Sequence, residues 1–126
     1  FTNDLCKQAI INKKMIIKNN YLQERNFLGI KDFCEIVEFF INCPRNKILF
    51  DTYNTGSKSS MSLKSMATLI QKQISKELNF HPEIIYESAP VKKEKLYYSI
   101  SRLTEIYKNQ FDVVNDIKEL INLLSK

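Results

Sequence analysis

The sequence predicts an α/β chain, mixed α+β in its proportions, with about five helices alternating with short strands. Three observations carry this. Apolar residues recur at helical spacing in several separate stretches, short apolar runs of strand length fall between them, and polar turn residues punctuate the junctions. Alternation of this kind is the mark of α/β and α+β architectures.

The elements follow in order. Asn3 to about Lys13 reads as a helix with Leu5, Ala9 and Ile10 on one face. "MIIK", Met15 to Lys18, is a short apolar strand, and "NNYLQ" is a turn region. "RNFLGI" forms a second short strand, so the two together predict a small two-stranded unit. Asp32 is placed to cap the next helix, with Glu35 completing a capping-box arrangement. That helix carries Phe33, Ile36, Val37, Phe40 and Ile41, and Pro44 stops it after Cys43. "KILFDTYN" reads as a buried strand, followed by the loop "TGSKSSM". Ser62 caps a long helix bearing Leu63, Met66, Ala67, Ile70, Ile74 and Leu78. "EIIYE" is a further strand, "APVKKEK" a charged loop, and "LYYSI" a brief extended segment. Ser101 caps a short helix with Leu103 and Ile106. Asp112 caps the last, whose Val113, Val114, Ile117, Leu120, Ile121 and Leu124 form the cleanest stripe in the chain.

Composition bounds the rest. At 126 residues, 44% hydrophobic and 26% charged, the chain has the makings of one globular domain and is treated as a single region, 1–126. It begins "FTNDLCKQAI", without Met and without a signal-peptide pattern, which suggests a piece of something longer. No apolar run reaches the length of roughly 20 residues that a membrane span requires. The net charge of +5 favours anionic partners in general. The basic residues are dispersed and the aromatic residues sit on apolar stripes, so nucleic acid is not the expected partner. Cys6, Cys34 and Cys43 lack CxxC spacing and read as reduced, buried thiols of a cytoplasmic protein. With His81 the only histidine, no zinc set is expected.

The search for chemistry excludes more than it finds. Two glycines, Gly29 and Gly56, cannot make a GxGxxG or GxxxxGK[ST] phosphate loop. No GxSxG elbow accompanies His81, no carboxylate pair has a spacing that demands acid/base work, and no tyrosine has a lysine four residues on. No catalytic residue is therefore assigned in this chain.

Three ordered blocks nevertheless point to a family. "QERNFLGIKDFC" keeps Arg25, Phe27, Ile30 and Asp32 of the pattern R-D-F-[IV]-x-V-x-D, with Asn26 where Asp is usual. "YNTGSKSSMSLKSMATLI" keeps Tyr53, Asn54, Gly56, Ser57, Ser62 and Leu63 of Y-N-[IV]-G-[ST]-G and the S-[LIV] that follows, with Lys58 in place of the second glycine. "YSISRLTEIYKNQFDVVNDIKELI" follows the plan D-x-S-[KR], short helix, turn, last helix, with Ser99 where Asp is common. Together they span nearly the whole chain, which resembles the C-terminal, substrate-binding part of NAD-dependent epimerase/dehydratases of the extended short-chain dehydrogenase/reductase family.

The resemblance implies a C-terminal portion of a Rossmann-type enzyme acting on a nucleotide sugar. NAD or NADP and the Tyr-x-x-x-Lys pair would belong to an N-terminal dinucleotide-binding half absent from these residues. It implies that Arg25 contacts the substrate diphosphate, a role that suits a guanidinium, whose fork of donors matches phosphate oxygens. Lys92 or Lys93 would supply the second basic contact. Tyr53 and Asn54 stand at a strand end, where α/β proteins place ligand-adjacent loops, or alternatively form a structural turn with Gly56. Partners implied are the nucleotide sugar, the N-terminal half and, for the separated piece, a second copy in a homodimer or self-associated state. The alternative reading is a non-catalytic basic module that binds RNA or a protein.

Overall fold

The computed structural model describes residues 1–18, 20–87, 95–108 and 111–126. Its elements run α1 (Thr2–Asn12), β1 (Lys14–Ile17), β2 (Glu24–Asn26), α2 (Ile30–Asn42), a 3-10 turn (Arg45–Lys47), β3 (Ser60–Ser62), α3 (Leu63–Leu78), β4 (Glu83–Tyr86), α4 (Ser101–Ile106) and α5 (Val113–Leu124). Five helices and four short strands among the described residues give the mixed α/β class that the sequence predicts.

The helical stripes become the main core. Leu5, Cys6 and Ala9 of α1, Met66, Ala67, Ile70 and Ile74 of α3, and Ile117 and Ile121 of α5 pack with Met15 and Ile17 of β1. All are at least 99% removed from solvent. A second, smaller cluster gathers Ile36 of α2 with Ile100 and Leu103, flanked by Leu28, Phe40, Tyr53, Tyr107 and Phe111.

Two helix ends use the predicted caps. The Ser62 side chain accepts from the Ser65 N–H at 3.0 Å, and Asp112 Oδ1 accepts from the N–H groups of Val114 and Asn115. Asn79 ends α3 in the left-handed region at φ 56°, which asparagine tolerates better than most residues.

Five expectations are corrected. Of the three thiols expected to be buried only Cys6 is, since Cys34 is exposed on α2 and Cys43 is half-buried just past its end. The segments "MIIK" and "RNFLGI" do not pair with each other. β1 pairs in parallel with β4, Lys14 opposite Glu83 and Ile17 opposite Tyr86. β2 pairs antiparallel with β3, Arg25 opposite Met61. Strand pairing is a non-local choice, and each strand found its partner across tens of residues. "KILFDTYN" is not a strand: it starts within the 3-10 turn and continues irregularly. There the Tyr53 hydroxyl takes the backbone N–H groups of Leu49 and Phe50, which substitutes for a ladder.

Asp32 does not cap α2. The helix begins earlier, at Ile30 with Gly29 in the N-cap position, and Asp32 falls in its first turn without a capping bond. Nor does Ser101 cap α4. Ile100 occupies that place, and it is Ser99 whose hydroxyl receives the Ser101 N–H, at 3.3 Å.

Candidate functional site

The β2–β3 ribbon is the platform for the site. Its three-residue ladder is extended by Leu63 N–H donating to Gln23 O at 3.0 Å and Lys64 N–H to Tyr21 O at 2.9 Å. The ribbon is thereby joined to the start of α3, whose inner face is rooted in the main core.

Along one side of β2 runs an open cleft of about 410 Å³, lined by Gln23, Glu24, Arg25, Asn26, Leu28, Thr55, Leu96 and Tyr98. Arg25 lies exposed within it, and its Nη2 donates to Gln23 Oε1 at 3.0 Å. That bond steadies one arm of the guanidinium and leaves four of its five N–H donors unaccounted for by it.

The walls are tied to the strand by hydrogen bonds. Asn26 Nδ2 donates to Ser57 O at 2.9 Å, and Ser57 N–H donates back to Asn26 Oδ1 at 2.8 Å. The Tyr98 hydroxyl donates to Thr55 O at 2.6 Å. Asn54 Nδ2 reaches Ser99 O at 3.1 Å, and Leu96 N–H donates to Glu24 Oε2 at 3.3 Å. Strand, 53–57 loop and 95–99 segment are thus linked pairwise around Arg25. Gly56 is needed where loop and strand meet: a Cβ there would stand 2.6 Å from both Asn26 Oδ1 and Tyr98 Cε1.

The sequence-predicted site residues divide. Arg25 faces the cleft, whereas Tyr53 and Asn54 do not line it. Tyr53 packs between Phe40 and Phe50, and Asn54 is spent on joining the two wall segments. Lys92 and Lys93 lie outside the described residues. The residues missed are Asn26, Thr55 and Tyr98. Asn26 carried a signal, since it replaces an aspartate of the resembled pattern with a side chain that can both donate and accept. Tyr98 in "LYYSI" carried none.

In a separate cleft, Asp32 and Asp116 share about 260 Å³ with Phe27, Lys58, Met61 and Phe111. Burial, followed by the charge of Glu35, raises the Asp32 carboxyl above its usual range. Burial, followed by Asp32, does the same for Asp116. Asp32 Oδ2 is buried without a hydrogen-bond partner. Among the described residues no group of His, Cys, Asp and Glu is arranged to hold a metal, and no helix is long and apolar enough to cross a membrane.

No protein-family model matches the chain, and no curated protein matches it in sequence. Solved structures do match. UDP-N-acetylglucosamine 4-epimerase from Bacillus cereus superposes with a TM-score of 0.73 at 18% identity, over 97% of this chain and 38% of its own. L-threonine 3-dehydrogenase from Trypanosoma brucei gives 0.71 at 14% identity, over 98% of this chain and 40% of its own. An NAD-dependent NDP-hexosamine 5,6-dehydratase involved in tunicamycin biosynthesis gives 0.68 at 17%, over 95% and 38%. The chain spans about two fifths of the length of these structures. It has the fold of one portion of these epimerase, dehydratase and dehydrogenase enzymes.

Proposed function

We propose that the chain is the substrate-binding portion of an NAD(P)-dependent epimerase/dehydratase acting on a nucleotide sugar, with Arg25 holding the diphosphate. The observation that carries the reading is the position of Arg25: exposed on a strand, in a cleft whose walls are hydrogen-bonded to that strand. Two of the enzymes sharing the fold act, by their names, on UDP-N-acetylglucosamine and an NDP-hexosamine. A diphosphate offers oxygens at the spacing of the guanidinium fork. Asn26 and Tyr98 serve the site by holding the Thr55–Ser57 loop, and Lys92 and Lys93 are retained as the second basic contact. The chemical step, a hydride transfer at the sugar, belongs on this reading to a dinucleotide-binding half with its own Tyr-x-x-x-Lys pair.

The test is an NMR titration of the chain with UDP-N-acetylglucosamine, with L-threonine and with RNA at two salt concentrations. The reading expects UDP-N-acetylglucosamine to shift the Arg25, Asn26 and Thr55 amides and the side-chain resonances of Arg25. A charge-assisted contact contributes about 1.5–3 kcal/mol, so Arg25→Ala should weaken binding roughly ten- to a hundredfold. Unchanged affinity in that variant would refute the role of Arg25. Shifts produced by L-threonine alone would move the substrate to an amino acid, and salt-sensitive RNA binding alone would favour the non-catalytic module.

A further inference from the structure

The Arg25 cleft and the acidic cleft are built from the same two stretches of chain. Arg25, Asn26 and Leu28 line the first, and Phe27 and Asp32 the second. From the other stretch, Thr55 lines the first, and Ser57, Lys58 and Ser59 the second. The Asn26–Ser57 bonds, at 2.9 and 2.8 Å, join the two stretches. Helix α5 adds a third part. A Cβ on Gly29 would collide with both carboxylate oxygens of Asp116, so that carboxyl is seated against the backbone at the N-cap of α2. Asp32 stands three residues on, and its Oδ2 is buried without a hydrogen bond. A buried carboxylate oxygen that accepts nothing is costly. Protonation turns it into a donor, and Asp116 offers acceptor oxygens in the same cleft.

We propose that Asp32 and Asp116 form a proton-operated switch that acts on the Arg25 cleft through Lys58, Ser57 and Asn26. With the pair protonated, the exposed Lys58 side chain stays in solvent. With the pair ionised, the two carboxylates draw the Lys58 ammonium toward the acidic cleft. That displaces the Ser57 backbone and loads its bonds to Asn26, the neighbour of Arg25. The new negative charge also opposes an anion approaching Arg25, so the regulation rests on the reading of Arg25 as the anion contact. The groups facing the pair leave an excess of acid: Glu35 on α2 and Asp112 and Glu119 on α5, against Lys31 on α2 and Lys58 on the loop. Met61 of β3 and Thr2 and Asn3 of α1 bring no titratable side chain to these clefts. Burial first, and the neighbouring negative charge second, hold both carboxyls above their usual range. The change of charge therefore falls nearer neutrality than it does for surface carboxylates.

The test is a ligand-free NMR titration that follows the side-chain carboxyl carbons of Asp32 and Asp116 together with the Ser57 amide and the Asn26 side-chain amide. The Asp32 midpoint should lie above the ordinary carboxylate value near ~4, and Asp116→Asn should lower it, because the two sites titrate as a pair. Ser57 and Asn26 should respond with the Asp32 midpoint, and the protection of the Ser57 amide from exchange should fall roughly two- to fivefold on ionisation, the scale of one exposed ion pair. Asp32→Asn should abolish that response. Lys58→Met, at an exposed position, should abolish it while leaving the carboxyl titration in place. Silence of Ser57 and Asn26 while Asp32 titrates overturns the proposal, and so does a response that survives Lys58→Met. With inorganic pyrophosphate as probe at pH 7, Asp32→Asn should bind roughly two- to fivefold more tightly than the unaltered chain. Equal affinity, with Arg25→Ala still weakening it, overturns the regulation and leaves the Arg25 reading standing. Pyrophosphate binding that ignores Arg25→Ala sinks that reading, and the ligand-free titration still decides the switch.

Discussion

Asn26 and Ser57 clasp each other across 31 positions of sequence: the amide of one donates to the carbonyl of the other, and the backbone N–H of Ser57 returns to Asn26 Oδ1. The pair fixes where the Thr55–Ser57 loop stands relative to the strand that carries Arg25. The Asn26 amide serves both bonds at once, donating through Nδ2 and accepting through Oδ1. Asn26→Asp keeps the acceptor, removes the donor and sets a carboxylate against the Ser57 carbonyl. We expect a loss of about 1–3 kcal/mol in urea denaturation, together with faster hydrogen exchange at the Ser57 amide.

Gly56 stands where that clasp and the Tyr98 ring converge. An alanine methyl would meet Asn26 Oδ1 and Tyr98 Cε1, each at 2.6 Å. Both neighbours are hydrogen-bonded and have little room to yield. Gly56→Ala should cost about 1–3 kcal/mol, as overpacking typically does. It should also break the Tyr98–Thr55 bond, visible as a shift of the Tyr98 ring resonances.

In the main core, Ile70 of α3 is fully buried among residues of α1, β1 and α5. Truncation leaves a cavity whose walls belong to several elements and cannot all collapse into it. Ile70→Ala is expected to destabilise by about 2–5 kcal/mol, measured as a lower denaturant midpoint with an unchanged slope.

The acidic cleft makes a pH prediction with a definite sign. The Asp32 and Asp116 carboxyls are raised in the folded chain, chiefly by burial. A raised carboxyl binds its proton more tightly in the folded state, so these two groups favour folding when protonated. Their penalty is absent below the unfolded value, near ~4, and is complete once the pH exceeds the folded values. Asp32→Asn should therefore raise the thermal midpoint at pH 7 and lose that advantage as the pH falls through the carboxylate range. An advantage that does not diminish on acidification would contradict this account.

Much of this protein was legible in its residues one stretch at a time. The stripes of α1, α2, α3 and α5 obey a spacing set by helix geometry alone, and a cap such as Ser62 or Asp112 acts within three residues. The three ordered blocks pointed to the fold that the solved structures share. Arg25 was singled out because its chemistry is local to one side chain. Tertiary structure decided everything that depends on a distant partner. Nothing in "MIIK" says that it will lie beside "EIIY", and β3 has too few residues and too little apolar pattern to read as a strand. "KILFDTYN" has strand composition, yet the Tyr53 hydroxyl claims two of its backbone donors. Asp32 was well placed to cap, but α2 begins at Ile30, with Gly29 in the N-cap position, and leaves it inside the first turn. The walls around Arg25 also come from three separated segments, and periodicity in one segment carries no information about which others will meet it.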